Sequence, residues 1–188
     1  PGMTSYVNPL ARIKESQDDY KTTRILGNAY ANYTLLPGLT LKMNLGVDKG
    51  AETRNQYLPQ VALNTSPNMS VRSTAISSSV DNYSYTGEAF VNYQKTIKED
   101  HHLEALVGYA VQKFKEESNS INATGFPTDD VRYISAASEI TSASSNMTQY
   151  SMLSEIGRLN YNYKGKYLLQ GSARRDVSSR FGADRNYG

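Results

Sequence analysis

The stretch RLNYNYKGKYLLQGSARRD, residues Arg158–Asp176, decides the fold class. At 3.6 residues per turn it shows no coherent apolar face, whereas read in twos it separates into two sides. Leu159, Tyr161, Tyr163, Tyr167, Leu169, Gly171 and Ala173 fall on one side; Arg158, Asn160, Asn162, Leu168, Gln170, Ser172, Arg174 and Asp176 fall on the other. This is a β-hairpin with a greasy face and a wet face. Tyr163 and Tyr167 must share the greasy face, so the simplest connection is the three-residue loop Lys164, Gly165, Lys166, with Gly165 free to take positive φ. That register sets Tyr163 opposite Tyr167, Tyr161 opposite Leu169, Leu159 opposite Gly171, Gly157 opposite Ala173 and Glu155 opposite Arg175. On the wet side it sets Arg158 opposite Ser172 and Asn160 opposite Gln170.

The same unit recurs twice upstream. Arg24–Asp48 and Tyr83–Phe114 each read as strand, tight connection, strand, as does Gln149–Asp176. In the first, Ile25, Gly27, Ala29, Ala31, Tyr33, Leu39, Leu41, Met43, Leu45 and Val47 share one parity, while Asn28, Asn32, Lys42, Asn44 and Asp48 share the other. In the second, Tyr85, Ala89, Val91, Tyr93, Leu103, Val107 and Val111 oppose Glu88, Asn92, Gln94, Glu104 and Gln112. Leu26, Phe90, Leu106 and Leu168 interrupt the polar parity, so that face is mixed. The segments Lys49–Asn82 and Lys115–Thr148, rich in Ser, Thr, Asn and Ala, sustain no period and are expected to be loops with at most short strand extensions.

Composition limits the alternatives. The chain has 188 residues, of which 38% are hydrophobic, with 15 Tyr, four Phe and no Trp. That is little aliphatic material for a soluble core of this length. The formal charge of +2, without a run of Lys or Arg, leaves no electrostatic footprint for nucleic acid. No cysteine is present to form a disulfide or thiolate site. The opening PGMTSYVNPL has neither the charged start nor the apolar stretch of a signal peptide. No apolar run approaches the ~18 residues of a membrane-crossing helix. A membrane barrel remains open, because its strands are individually half polar.

An ordinary antiparallel sheet with one face on a core alternates in the same way. Three features favour a barrel wall. Short and long connections alternate strictly, as in outer-membrane barrels. Tyrosines gather at strand ends: Tyr33, Tyr93, Tyr161, Tyr163 and Tyr167 beside the short turns, and Tyr83, Tyr85 and Tyr150 toward the far ends. Two interfacial girdles have this appearance, since a phenol keeps its ring in hydrocarbon and its hydroxyl in water. The apolar parity also mixes small residues with Leu and Val, which makes a smooth surface. Lys42, Asn44, Asp48, Glu88, Asn92, Glu104, Arg158, Asn160, Arg174 and Asp176 are then the candidates to face the lumen.

Catalytic and metal chemistry find little support. His101 and His102 are adjacent and are read as part of a solvated turn with Glu99 and Asp100; neighbours on a strand face opposite ways, so one metal would not see both. No Ser, His and Asp arrangement suggests a nucleophile, so no enzyme activity, metal or cofactor is expected. Sequons at Asn32, Asn64, Asn68, Asn82, Asn122 and Asn146 are read as composition.

The ending YKGKYLLQGSARRDVSSRFGADRNYG resembles the late-barrel signature of SusC/RagA-type TonB-dependent outer-membrane transporters of the Bacteroidetes. That signature reads roughly R-x-N-Y-x-Y-x-x-K-Y, then R-x-D-G-S-S-R-F-G, then Y-G. Arg158, Asn160, Tyr161, Tyr163, Lys166, Tyr167, Arg174 or Arg175, Asp176, Ser178, Ser179, Arg180, Phe181, Gly182, Tyr187 and Gly188 match it; Val177 stands where the family usually has Gly. Asn8–Leu10, the first hairpin, Tyr57–Pro59 and His101–Tyr109 are also similar to the family. The resemblance implies an all-β, antiparallel transmembrane barrel of 22 strands, closed by an N-terminal plug, in the bacterial outer membrane. It also implies import of oligosaccharide or peptide with a SusD-like surface lipoprotein as lid and energy from TonB. Six strands without plug or TonB box are expected to be a partial barrel wall over residues 1–188, meeting TonB only through a missing N-terminal part. The rival reading is a soluble extracellular β-sandwich binding carbohydrate or protein through Tyr-rich loops. In the barrel, Glu155 and Arg175 lie eight residues from the turn. At roughly 3.3 Å per residue and a tilt of about 40° that is ~20 Å, near the upper edge of an apolar band about 25 Å tall. The long segments would lie on the outer side and meet substrate or lipoprotein.

Overall fold

A computed structural model describes residues 9–63 and 71–180. Asn8, Phe181, Gly182, Tyr187 and Gly188 of the signature segments, and the sequons at Asn64 and Asn68, lie outside the described residues. The short helix α1 (Pro9–Glu15) precedes β1 (Gln17–Leu36) and β2 (Leu39–Leu58). Helix α2 (Gln60–Leu63) leads toward β3 (Thr74–Ile97) and β4 (His101–Thr124). One 3-10 turn (Ile134–Ala136) comes before β5 (Glu139–Tyr163) and β6 (Tyr167–Ser178). The strands form one antiparallel sheet in the order β1-β2-β3-β4-β5-β6, a meander in which every neighbour in sequence is a neighbour in space.

Two compact units divide the chain. One comprises Ile25–Lys49, Asn82–Lys115 and Thr148–Gly188 and contains the three hairpins. Its turns carry the conformations that their residues allow. Pro37 supplies a fixed negative φ and Gly38 sits at φ 84°, the combination of a type II turn. The Gly38 carbonyl accepts a hydrogen bond from the Gln94 amide at 2.7 Å, which ties this turn to β3. Lys98 and Glu99 both take positive φ in the β3–β4 turn. In the last turn Lys164 and Gly165 lie at φ 55° and 65°, and Asn162 Oδ1 accepts the Gly165 amide at 2.9 Å. The backbone amide of Lys164 donates to the Asp100 carbonyl at 2.8 Å and its ammonium lies 3.3 Å from the Asp100 carboxylate, linking two turns.

The β5–β6 register agrees with the sequence reading at every pair. Tyr163 faces Tyr167, Tyr161 faces Leu169, Leu159 faces Gly171, Gly157 faces Ala173 and Glu155 faces Arg175, with Arg158 against Ser172 and Asn160 against Gln170. Arg175 Nη1 lies 3.5 Å from Glu155 Oε2, as that pairing requires. Val177, the departure from the signature, continues β6 opposite Leu153, so the strand does not hinge there.

No apolar side chain is buried among the described residues of this unit. Leu45 is 62% exposed and Val107 58%, in mid-strand. The polar parity has a different feature. Gly108 is buried, and a Cβ there would meet the Ala89 carbonyl oxygen and the Phe90 ring and Cα. Glycine therefore seats Phe90, one of the apolar interruptions of the wet face. Gly108→Val is expected to destabilise the barrel by ~1–3 kcal/mol through overpacking, read as a lower denaturant midpoint for the full-length protein. Phe90→Ala with Gly108→Val should recover part of the loss.

The other unit comprises Pro1–Arg24, Gly50–Asp81 and Glu116–Met147. Here the expectation of loops is corrected. β2 runs on to Leu58, β3 begins at Thr74, β4 reaches Thr124 and β5 begins at Glu139, leaving residues 125–138 between β4 and β5. The ladder continues without alternation because polar side chains bond across it. Ser77 donates to Asn55 at 2.8 Å, Asn122 to Ser142 at 2.7 Å, and Thr141 to the Asn122 carbonyl at 3.1 Å. Thr and Ser at such positions sustain a strand that no apolar period reveals. Buried Tyr57, Pro59, Ala62, Ala75 and Ala123 form a small core. The Tyr57 ring packs edge-on against Phe126 at 5.2 Å, and its hydroxyl donates to Asp129 at 2.7 Å. Arg132 lies over the same ring and donates to the Asp129 carbonyl at 2.7 Å. Burial and the bond to Asp129 push the Tyr57 phenol up from its usual range.

Candidate functional site

The even-numbered face of the hairpin unit gathers most of the predicted polar residues into three small clusters. Asn44 donates to Glu88 at 3.3 Å. Glu104 accepts Asn160 at 3.1 Å and Gln94 at 3.5 Å, with Lys42 and Arg158 bringing positive charge toward it. Arg174 pairs with Asp176 at 2.9 Å and donates to buried Ser154 at 3.1 Å. Asn92 is 8% exposed, and its Oδ1 has no protein partner among the described residues; the Oδ1 of Asn160 is in the same position. Asp48 shares the parity and engages a partner of its own. Beside Asn160 lies a cavity of about 650 Å³ lined by Gln94, His102, Glu104, Asn162 and Gln170 together with the apolar Leu103, Leu168 and Leu169.

The odd-numbered face carries the aromatic belt beside the short turns. Tyr163 stacks on Tyr167 with ring centres 6.2 Å apart, and His101 lies 4.7 Å from the Tyr163 ring. His101 Nδ1 is 2.6 Å from the Tyr161 hydroxyl. Tyr33 and Tyr93 share this parity, Tyr33 being strongly exposed. The histidines are therefore not turn residues, as their sequence suggested. They open β4, with His101 on the tyrosines and His102 Nδ1 3.1 Å from Thr96 Oγ1 on the opposite face. The described residues hold no group of His, Cys, Asp and Glu able to bind a metal.

Tyr150 is also corrected. Its sequence position suggests the far girdle, but it stacks on Phe114 at 5.2 Å and lies under the Arg180 guanidinium at 3.9 Å. Phe114, Tyr150 and Arg180 are all even-numbered, so this row stands on the polar face. Tyr83 and Tyr85 keep the odd parity. The parity of Tyr150 along an unbroken β5 contains this answer; the polar residues 139–148, which carry no alternation, concealed that β5 runs on through it.

Six antiparallel strands in one meander, whose hairpin unit is apolar on one parity, mostly polar on the other and without a buried apolar side chain among its described residues, have the architecture of a segment of β-barrel wall. The chain is similar in sequence to curated proteins named TonB-dependent receptors, and its fold matches a segment of the RagAB barrel. It is 31% identical over 183 residues to TonB-dependent receptor P39 of Formosa agariphila and 29% over 182 residues to TonB-dependent receptor P3 of the same organism. Both alignments cover 96% of this chain but 17% and 18% of the relatives, so the chain spans less than a fifth of their length. Its fold matches the RagAB peptide transporter with a TM-score of 0.84 at 23% identity, over 95% of this chain and 20% of that one. The RagAB peptide importer in its open-open state gives 0.83, also at 23% identity, over 95% and 19%. No family model matches the chain.

Proposed function

We propose that this chain forms part of the barrel of a TonB-dependent importer in the bacterial outer membrane. Its odd-numbered face meets lipid and its even-numbered face lines the lumen. Lys42, Asn44, Asp48, Glu88, Asn92, Glu104, Arg158, Asn160, Arg174 and Asp176 are the lumen residues of this reading, and Tyr33, Tyr93, Tyr161, Tyr163 and Tyr167 the interfacial belt. Oligosaccharide or peptide is the cargo class, and a surface lipoprotein is the partner at the outer side, where residues 50–81 and 116–147 belong. Transport rather than catalysis follows the names of the relatives, receptor and transporter.

The observation that carries this reading is the absence of a buried apolar side chain among the described residues of the hairpin unit, beside a run of half-exposed Leu, Val, Met and Tyr on one parity. In water so large an apolar surface drives association; against hydrocarbon it is at home. Purification without detergent tests it. The chain is expected to aggregate unless detergent or the rest of its barrel is supplied. A monodisperse monomer that melts cooperatively in plain buffer would contradict the proposal and restore the soluble sandwich.

A further inference from the structure

We propose that Arg180, held on the face of Tyr150, recognises a carboxylate carried by the cargo at the outer mouth of the barrel. The inference rests on the lumen-facing reading of the even-numbered face and adds a charge preference to it. Three even-numbered side chains of the hairpin unit, Phe114, Tyr150 and Arg180, stand in line across β4, β5 and the end of β6. Phe114 stacks on Tyr150 with ring centres 5.2 Å apart, and the Arg180 guanidinium lies 3.9 Å from the centre of the Tyr150 ring. The backbone beneath the guanidinium is tied to its neighbours. The Ser179 amide donates to the Ser151 carbonyl at 3.0 Å, the Ser151 amide to Ser179 Oγ at 2.9 Å and the Arg180 amide to Ser178 Oγ at 3.3 Å.

What the exposed guanidinium lacks is an acceptor. Among the described residues its side chain meets the Tyr150 ring, and no carboxylate, carbonyl or hydroxyl accepts from its N–H groups. Further down the same face Arg174 and Asp176 are bonded to each other, so that carboxylate is already engaged. At 3.9 Å the guanidinium touches the ring through its face, and its five in-plane donors project past the ring edge. Two of them match the two oxygens of a carboxylate, and a charge-assisted bond is about twice as strong as one to a neutral hydroxyl. Stacking fixes the fork in advance, so less freedom is lost when the ligand arrives. The half-buried Phe114 and Tyr150 rings offer apolar contact to the body of the same molecule. Tyr150 lies thirteen residues before Tyr163, the last residue of β5. At roughly 3.3 Å per residue and a tilt of about 40° that is ~33 Å from the short turn, beyond an apolar band about 25 Å tall. Cargo arriving from outside passes this row on its way into the lumen. A carboxylate reaches it as the free C-terminus of a peptide or as the uronic acid of an oligosaccharide, and the chemistry recognised is the same.

The test offers the full-length parent protein in detergent two sets of probes. One is mixed-sequence tetrapeptides without Asp or Glu, with a free or an amidated C-terminus; the other is mixed uronic-acid oligosaccharides, free or methyl-esterified. Size exclusion followed by mass spectrometry reports what is retained. In one of the two sets the free acid is expected to be retained at least about tenfold over its masked form, which also names the source. Arg180→Gln should erase that preference, and Arg180→Lys, which keeps the charge without the fork, should restore only part of it. Heat-modifiable migration on gels verifies that each variant barrel is folded. Absence of a free-acid preference in the wild type, or its persistence in folded Arg180→Gln, overturns the site. Labelling of Tyr150→Cys by an impermeant thiol reagent then leaves the lumen face standing and the carboxylate site alone refuted. Shielding of Tyr150→Cys overturns the face assignment beneath it.

Discussion

Val107→Arg in the full-length protein is expected to destabilise the barrel by ~2–4 kcal/mol, the cost of a cationic side chain on the lipid face near the bilayer midplane. Val107 is odd-numbered, 58% exposed, and six residues into β4. By the same rise and tilt it stands ~15 Å from the short turn, close to the middle of the apolar band. Gln170→Arg is the control. Gln170 is even-numbered, exposed, and pairs with Asn160 on the polar face. Its replacement should change stability by no more than ~0.5 kcal/mol, as for most exposed sites. Unfolding in urea from lipid or detergent measures both. Equal effects would show that the two faces do not differ in solvent.

Gly38→Ala should fail in a different way. A non-glycine residue at φ 84° carries roughly 1–2 kcal/mol of left-handed strain. In addition, a Cβ at Gly38 would run into the Gln94 carbonyl oxygen, which belongs to backbone and cannot rotate aside. The hydrogen bond from the Gln94 amide to the Gly38 carbonyl would be disturbed as well. Gly165→Ala separates the contributions: Gly165 lies at φ 65°, but a Cβ there meets nothing within 4 Å. Gly165→Ala is thus expected to cost about the backbone strain alone, whereas Gly38→Ala costs more and reduces the yield of folded barrel. Similar yields and midpoints for the two variants would show that the β1–β2 turn is not clamped to β3.

The hairpins were legible because two independent constraints agreed. Side-chain parity required Tyr163 and Tyr167 to share a face, and Gly165 marked the one place where a three-residue loop turns easily. In the first hairpin Pro37 and Gly38 form the corresponding turn, with Gly38 at positive φ. The long strands beyond them left no such trace. From Gly50 to Leu58 and from Glu116 to Thr124 both faces carry Ser, Asn, Gln and charged side chains, so alternation disappears although hydrogen-bonded pairing continues. Alternation reports a difference between two environments, and a strand with similar surroundings on both sides is silent to it. His101, Tyr150 and Gly108 show another limit. Each was legible in parity, but its role depends on a neighbour across the sheet: Tyr161 and Tyr163 for His101, Phe114 and Arg180 for Tyr150, Phe90 for Gly108. Of the candidate lumen residues, composition could name the charges and amides; only the register joined Glu104 to Asn160 and Asn44 to Glu88.

The central claim is that one face of this sheet meets lipid and the other meets water. Single cysteines at Leu45 and at Asn44, adjacent on β2, test it in the full-length protein in intact outer membranes with a membrane-impermeant thiol reagent. Leu45 is odd-numbered and 62% exposed, and Asn44 donates to Glu88 on the opposite face. The expected result is rapid labelling of Asn44→Cys and little of Leu45→Cys. Rapid labelling of Leu45→Cys with Asn44→Cys protected would reverse the faces and contradict the account.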